Sequence, residues 1–337
     1  MTENKGLIKS NAVKLFIAII ILFIIVNLVP TKYYVMSPGI AQELSPIITV
    51  KGGHKGVTSG DFMLTAVASH RATLFDIIYI SLKKPRGIEI ESVEEQLPPG
   101  MDMDGYLEIM ANLMEESKLH AQAVAFKKLG YRVKVEGKGA EIVEVLPEGS
   151  AGNVLKKGDI IVGIDGKEVS FATDAVKLIR KHNIGEEVKL KVLRGKEVMH
   201  FRVKTVELKN SPGKASIGVL ITTRDLSYYF PKKVIFNTKN IVGPSAGAMF
   251  TLEIYNQLIP EDITKGRRIA GTGTISLDGH IGKIDGVTQK VMAAERAGAD
   301  LFLSPAKNYS EAKKAARRIK VVKVNNIDEA IRYLKNN

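Results

Sequence analysis

The sequence contains no cysteine. Disulfides and thiolate metal sites are therefore excluded, although the absence does not identify a redox compartment. No Gly-x-x-x-x-Gly-Lys-[Ser/Thr] run occurs, so no phosphate-cradling loop of an ATP-driven module is visible. Gly271-Thr272-Gly273 lacks the remainder of a dinucleotide fingerprint. There is no internal repeat, no low-complexity tract and no metal-ligand cluster, and neither a cofactor nor a metal is expected. Acidic residues are in deficit: 36 against 49 basic ones, a net charge of +13. Such a balance suits nucleic acid, anionic lipid or an anionic wall polymer equally well.

The N-terminus favours lipid over nucleic acid. Residues 15–26, LFIAIIILFIIV, form an unbroken apolar run that Ala12, Val13, Leu28 and Val29 extend. The whole is about 18 residues, near the lower limit for a membrane-spanning helix. Lys5, Lys9 and Lys14 precede it with only Glu3 opposing, which places the N-terminus in the cytoplasm and the bulk of the chain outside it. A cleaved signal peptide is the competing reading, but no small-x-small site follows the run. The expectation is a cell-membrane protein with a single-pass anchor.

Beyond the anchor, YYVMSP, IITV and DFMLTAV read as strands. From Gly105 to Leu129 apolar residues recur at helical spacing. Neither stretch carries obvious chemistry. Between 130 and 208, five alternating runs predict strands around a helix at Ala172–Lys181. Within them lie the turn Glu148-Gly149-Ser150-Ala151-Gly152, the segment Lys157-Gly158-Asp159-Ile160-Ile161 and the hairpin Asp165-Gly166. On these residues the stretch resembles the PDZ domains of bacterial proteases. The resemblance implies a groove between strand 141–146 and helix 172–181, where an extended peptide adds as a strand along Glu141 and Ile142. Gly137-Lys138-Gly139 is then the loop whose N–H groups receive the peptide carboxylate. An ordinary β domain acting as a spacer is the alternative.

Residues 243–247 are Gly243-Pro244-Ser245-Ala246-Gly247, the Gly-x-Ser-x-Gly form of a serine nucleophile on a tight turn. A histidine triad is not available to it. Only His280 follows Ser245, in a predicted hairpin turn, and the 92 residues left are too few for the rest of a hydrolase sheet. An unprotonated lysine is the recognised substitute, and it must be desolvated to lose its proton. In GVTQKVMAAERAG (286–298) Lys290 falls among Val287, Val291 and Ala294, the apolar face of a predicted helix. Lys283, beside a turn, is the more easily solvated competitor.

GPSAG, then RIAGTGTISLDGHIGKIDG, then VTQKVMAAERAGADLFLSP, are similar in order to the proteolytic domain of Lon-type peptidases, over roughly 215–335. With one anchor and a PDZ module, the chain resembles the membrane-anchored PDZ–Lon proteases of Gram-positive bacteria, the SepM/YlbL type. The resemblance implies a Ser245–Lys290 dyad with Thr272 supporting the lysine. It leaves Gly243, Pro244, Ala246 and Gly247 to shape the oxyanion and substrate site. Two departures stand out: Val242 before the motif and Asp285 in a turn where glycine is common.

The expected organisation is α+β and multidomain: a tail and anchor (1–30), a mixed α/β region (31–118), a PDZ-like β domain (119–208) and a Lon-type α/β proteolytic domain (209–337). The expected function is ATP-independent, membrane-anchored serine endopeptidase action outside the cytoplasm on extended peptides or unfolded or membrane-associated proteins. A non-catalytic PDZ adaptor with a vestigial protease domain is the alternative. Expected partners are peptide or protein substrates and the cytoplasmic membrane, with no nucleic acid and the oligomeric state left open.

Overall fold

The computed structural model describes residues 13–21, 30–54, 59–93, 103–208, 211–238 and 241–337. Its contacts divide the chain into two units, one formed by residues up to Arg132 together with Phe230–Asn337, the other by Val133–Tyr229. The expected breaks at 118/119 and 208/209 therefore give way to an insertion. Residues 31–118 are not a separate region but part of the unit that holds Ser245. The reason is pairing: the strand at 61–64 pairs with 268–271, and the strand at 48–50 pairs with 234–236.

Half of the expected membrane run, residues 12 and 22–29, lies outside the described residues. Residues 13–21 are helical and exposed, with Leu15 and Phe16 each 64% accessible. Among the described residues no helix is long and apolar enough to cross a membrane.

The first unit begins with strands β1 (Pro30–Glu43), β2 (Ile48–Val50) and β3 (Asp61–Thr73), helix α1 (Leu74–Lys83), strand β4 (Glu89–Ser92) and helix α2 (Met103–Lys128). The chain then enters the second unit. There β5 (Lys134–Glu136), β6 (Ala140–Val145), β7 (Ile160–Ile164) and β8 (Lys167–Glu168) precede α3 (Ala172–Ile179). After it come β9 (Glu187–Arg194), β10 (Glu197–Lys204), β11 (Val206–Leu208), β12 (Ser211–Ser216), β13 (Val219–Thr223) and β14 (Ser227–Tyr229). The sheet order is β10-β9-β7-β6-β13. In β9, EVKLKVLR, burial alternates residue by residue as far as Val192, as expected of an antiparallel strand with one wet face. Ile142, Leu155, Ile161, Ile164, Val188 and Leu190 lie in its core. Asp159, 1% exposed, is neutralised by a two-pronged contact from Arg194, Nε and Nη2 each at 2.7 Å.

Returning to the first unit, the chain forms β15 (Val234–Phe236), α4 (Gly247–Leu258), β16 (Arg268–Gly271), β17 (Thr274–Ile275), β18 (Ile281–Gly282) and α5 (Val287–Arg296). It ends with β19 (Leu301–Pro305), α6 (Tyr309–Ala315), β20 (Lys320–Val324) and α7 (Ile327–Asn336). The main sheet runs β20-β19-β16-β3-β1-β4, parallel from β20 to β3 and antiparallel beyond. β19 reads LFLSP and is buried at every position, the continuous pattern of a parallel strand covered on both faces.

Helix α4 departs from the one-sided face its sequence suggests, because all twelve residues are buried. Its polar side chains are satisfied inside. Gln257 accepts from Val50 N at 2.9 Å and donates to Ile48 O at 2.8 Å, and Asn256 Oδ1 accepts from Ile263 N at 2.9 Å. Helix α2 packs along α4, so α4 is enclosed by the sheet, by α2 and by the β2–β15 pair.

Candidate active site

Gly243 opens the serine turn at φ 93° and ψ 152°, a conformation that L-residues with a side chain rarely adopt. Its N–H donates to Met110 O of α2 at 3.0 Å. Pro244, Ser245 and Ala246 then form a single 3-10 turn that runs into α4. Proline suits that first position because its φ is already helical and no donor is lost. The Ser245 carbonyl accepts twice, from Gly273 N at 2.7 Å and Thr272 Oγ1 at 3.0 Å. Ser117 Oγ of α2 donates to Pro244 O at 3.1 Å. Two segments distant in sequence, α2 and residues 272–273, thus fix one turn.

Gly247 has a different role from the one expected. A Cβ there would stand 2.5 Å from Ser117 Oγ and 2.6 Å from Ile275 Cγ2. The residue lets α2 and β17 approach the start of α4; it does not clear a path for substrate.

Helix α5 begins after Gly286, held at φ 69°, and sets Val287, Lys290, Val291 and Ala294 against β1 and β3. Lys290 is 5% exposed. Its Nζ lies 2.8 Å from Ser245 Oγ and 3.3 Å from Thr272 Oγ1. Burial lowers its pKa from 10.5 to about 8, and the Asp285 carboxylate opposes part of that fall. Among the described residues no carboxylate forms an ion pair with Lys290, and only the more distant charge of Asp285 acts against its loss of water. Thr272 is 1% exposed, and its hydroxyl proton is committed to the Ser245 carbonyl, leaving a lone pair toward Nζ. A neutral lysine that donates one N–H to Thr272 is thereby turned to present its own lone pair to Ser245.

The rival lysine, Lys283, is exposed, as is His280, whose backbone forms an isolated antiparallel bridge with Asn326. Neither hydrogen-bonds the serine. Among the described residues no group of three or more histidine, aspartate or glutamate side chains is placed to hold a metal ion.

Around the pair lies a cleft of about 550 Å³ that Ile40, Leu64, Val67, Met110, Met114 and Ile241 help to line. Sequence reasoning assigned no chemistry to 31–118, yet half of this wall comes from β1, β3 and α2. A second recess, lined by Glu89, Glu91, Tyr106, Asp285 and Gln289, shares Tyr106 and Asp285 with the cleft. Gln289 Nε2 is buried there without a hydrogen-bond partner among the described residues.

The five residues expected to bind a peptide come together in the second unit, but the edge of β6 is not free. β6, which carries Glu141 and Ile142, has β7 on one side and β13 on the other, with Ile221 opposite Ile142 and Thr222 opposite Glu141. Helix α3 packs over β6 and β13 alike. Lys138 N donates to Arg224 O at 2.8 Å and Gly139 N to Ser170 O at 3.0 Å, so those two loop donors are also engaged. A Gly137 Cβ would stand 2.4 Å from Ser170 O, and the Glu141 carboxylate meets Arg224. The exposed edge of the sequence reading is therefore corrected: residues 219–223 of the same chain pair with β6, and β13 is the outer strand of the sheet on that side. They read VLITT, β-branched and apolar enough to satisfy both the ladder and the core.

With this geometry in place, comparison with known proteins points the same way. Residues 127–205 match the PDZ domain, and residues 233–336 match the Lon protease (S16) C-terminal proteolytic domain. The chain thus combines a PDZ domain with a Lon protease-type domain in a mixed α/β architecture. It is similar to the Lon protease of Trichlorobacter lovleyi, 33% identical over 94 residues that cover 27% of this chain and 11% of that protein. It is similar also to the Lon protease of Rickettsia felis, 34% identical over 96 residues covering 27% and 12%. A pro-apoptotic serine protease, NMA111 of Scheffersomyces stipitis, is 27% identical over 205 residues covering 58% and 19%. The alignments thus take in only a small part of the length of these curated relatives. Among solved structures, the PDZ domain of an SdrC-like protein from Listeria monocytogenes is 25% identical, covers 25% of this chain and 87% of its own, and has a TM-score of 0.23.

Proposed function

We propose that the chain is a serine endopeptidase of the membrane-anchored PDZ–Lon type, with Ser245 as nucleophile and Lys290 as its base. The observation that carries the reading is the 2.8 Å approach of a buried, unpaired lysine to the serine hydroxyl. Neutral Lys290 Nζ takes the Ser245 proton while Oγ attacks a peptide carbonyl. The lysine then gives that proton to the departing amine, leaving an acyl-enzyme, and a water molecule repeats the sequence to release the acid. The negative oxygen of each tetrahedral intermediate is held by N–H groups of Ser245 and Ala246, in the first turn, where a helix has no internal partners for its donors. Gly243 N is excluded from that role by its bond to Met110 O.

The apolar cleft suits an extended segment with apolar side chains, and no ATP-driven step enters the mechanism. The +13 charge and the apolar run at 15–26 support attachment to the cell membrane, with the peptidase unit outside the cytoplasm.

The test is cleavage of a library of unstructured peptides by the full chain, read by mass spectrometry beside Ser245→Ala and Lys290→Ala. Loss of cleavage in both variants supports the dyad. Cleavage that survives Lys290→Ala removes the lysine from the mechanism. No cleavage by the parent favours the adaptor reading.

A further inference from the structure

Helix α1, Leu74–Lys83, contains no buried residue. Leu74, Phe75, Ile78, Tyr79 and Leu82 are 37, 47, 54, 45 and 77% exposed. Their spacing puts all five on one face of the helix. Contiguous exposed apolar residues of this size are uncommon on soluble surfaces and mark contact with a partner or a membrane. The helix is nonetheless well formed: Thr73 and Asp76 make a reciprocal capping box, Lys84 closes the other end in the left-handed conformation, and Phe75 stacks on Tyr79 with centroids 6.0 Å apart.

Its position says what covers it. Thr73, the N-cap, pairs across the sheet with Pro30, and Pro30 directly follows the apolar run that ends at Val29. Paired strands lie about 5 Å apart. A ten-residue helix is about 15 Å long, so α1 stays close to the level at which the run ends. Lys32, Arg71, Lys83 and Lys84 are exposed around the apolar face, and Tyr33 beside them is 44% exposed. The one acid of α1, Asp76, is held in the capping box and beside His70. Apolar residues edged by lysine, arginine and tyrosine are the composition of an interfacial helix on anionic lipid.

We propose that α1 lies in the headgroup region of the bilayer that residues 15–26 enter, giving the peptidase unit a second membrane contact. The inference rests on the membrane attachment proposed above. The occupant is lipid and not a second copy, because a copy would bring an equal ring of lysines against this one, whereas anionic headgroups attract it.

The cysteine-free chain makes the test direct. Single cysteines replace Ile78, Leu82 or, as a control, the exposed Val198 of β10, and each carries an environment-sensitive fluorophore. The full-length protein is reconstituted in vesicles of phosphatidylcholine and phosphatidylglycerol. Expected are a blue shift, quenching by nitroxide-bearing lipid and a several-fold loss of iodide quenching at 78 and 82, with the label at 198 remaining open to iodide. Protein that floats with the vesicles while all three labels are equally open to iodide overturns the proposal and leaves the anchor standing. Protection that grows with protein density, without lipid quenching, assigns the face to a second copy. Protein that does not float with the vesicles overturns the attachment and the second contact together.

Discussion

Replacing Lys290 by methionine should abolish cleavage and stabilise the fold at neutral pH. The lowering of its pKa from 10.5 to about 8 corresponds to a preference for the neutral amine of about 3 kcal/mol. At pH 7 an ordinary lysine is neutral in roughly three molecules per ten thousand, whereas one titrating near 8 is neutral in about one in ten. Burial therefore supplies about a 300-fold increase in usable base, the larger part of what a general base contributes. The parent's kcat/KM should rise about tenfold per pH unit until near 8 and then level, since this quantity follows the free enzyme.

The same shift sets the stability. Between about 8 and 10.5 the unfolded lysine keeps a proton that the folded one has lost, so stability rises with pH across that interval. Below it the full cost of about 3 kcal/mol is present; above it there is none. Lys290→Met removes this cost but leaves the Ser245 and Thr272 hydroxyls short of a partner, worth about 1 kcal/mol. A gain of about 2 kcal/mol at pH 7 follows, fading above pH 8, read from urea unfolding at several pH values. Cleavage within tenfold of the parent, or no pH-dependence in the stability difference, would refute the argument.

Asp285→Asn removes the carboxylate that favours the charged form of Lys290, so the inflection of the pH–kcat/KM profile should move to lower pH; an upward or absent shift contradicts the assigned sign. Thr272→Val keeps the shape but loses the hydroxyl that orients Nζ, and kcat should fall about tenfold, in line with about 1.4 kcal/mol for an oriented hydrogen bond. Burial raises the pKa of Glu253 from 4.5 to about 7, with Asp61 and Asp262 adding to it and Gln257 opposing. The folded state thus holds the extra proton between those values, and stability falls as pH rises through them. Glu253→Gln should therefore stabilise by about 2–3 kcal/mol at pH 8 and by almost nothing at pH 4, measured by thermal unfolding. Ile221→Asp places a charge where β13 meets the core, and should let a fluorescent peptide with a free C-terminus bind the β6 edge about tenfold more tightly per 1.4 kcal/mol of strand docking lost. Anisotropy titrations that give the parent and the variant equal affinity would show that β13 does not compete.

Elements whose signal is local were legible in the sequence. Strands β6, β7, β9 and β10 and helices α3 and α5 fall within a few residues of their expected places, because alternation and a 3.6-residue period survive in half-buried elements. Ser245 and Lys290 were legible for a related reason: a glycine-flanked serine and a lysine amid valines each conflict with their surroundings unless they have a task. The wall of the cleft was not legible. Met110, Met114, Leu64 and Ile40 are ordinary residues in ordinary patterns, and their role comes from pairings such as Arg268 with Asp61 that span some two hundred residues. Nor was the filling of the PDZ edge, since VLITT lies beyond the matched PDZ residues and a strand's partner is not written in its own alternation.

The serine turn depends on that non-local frame. Gly243 sits in a conformation that costs other residues energy, and such a turn persists only where its surroundings over-determine it. Here Met110 O holds the entrance, Ser117 Oγ holds Pro244 O, and Gly273 N with Thr272 Oγ1 hold Ser245 O. With the carbonyl so held, the hydroxyl of Ser245 meets Lys290. Desolvation of the lysine and rigidity of the serine thus have one origin, the closing of β1, β3 and α2 over α4 and α5. Residues 30–132, which lie outside the matched Lon segment, are on this reasoning part of the peptidase and not an appendage to it.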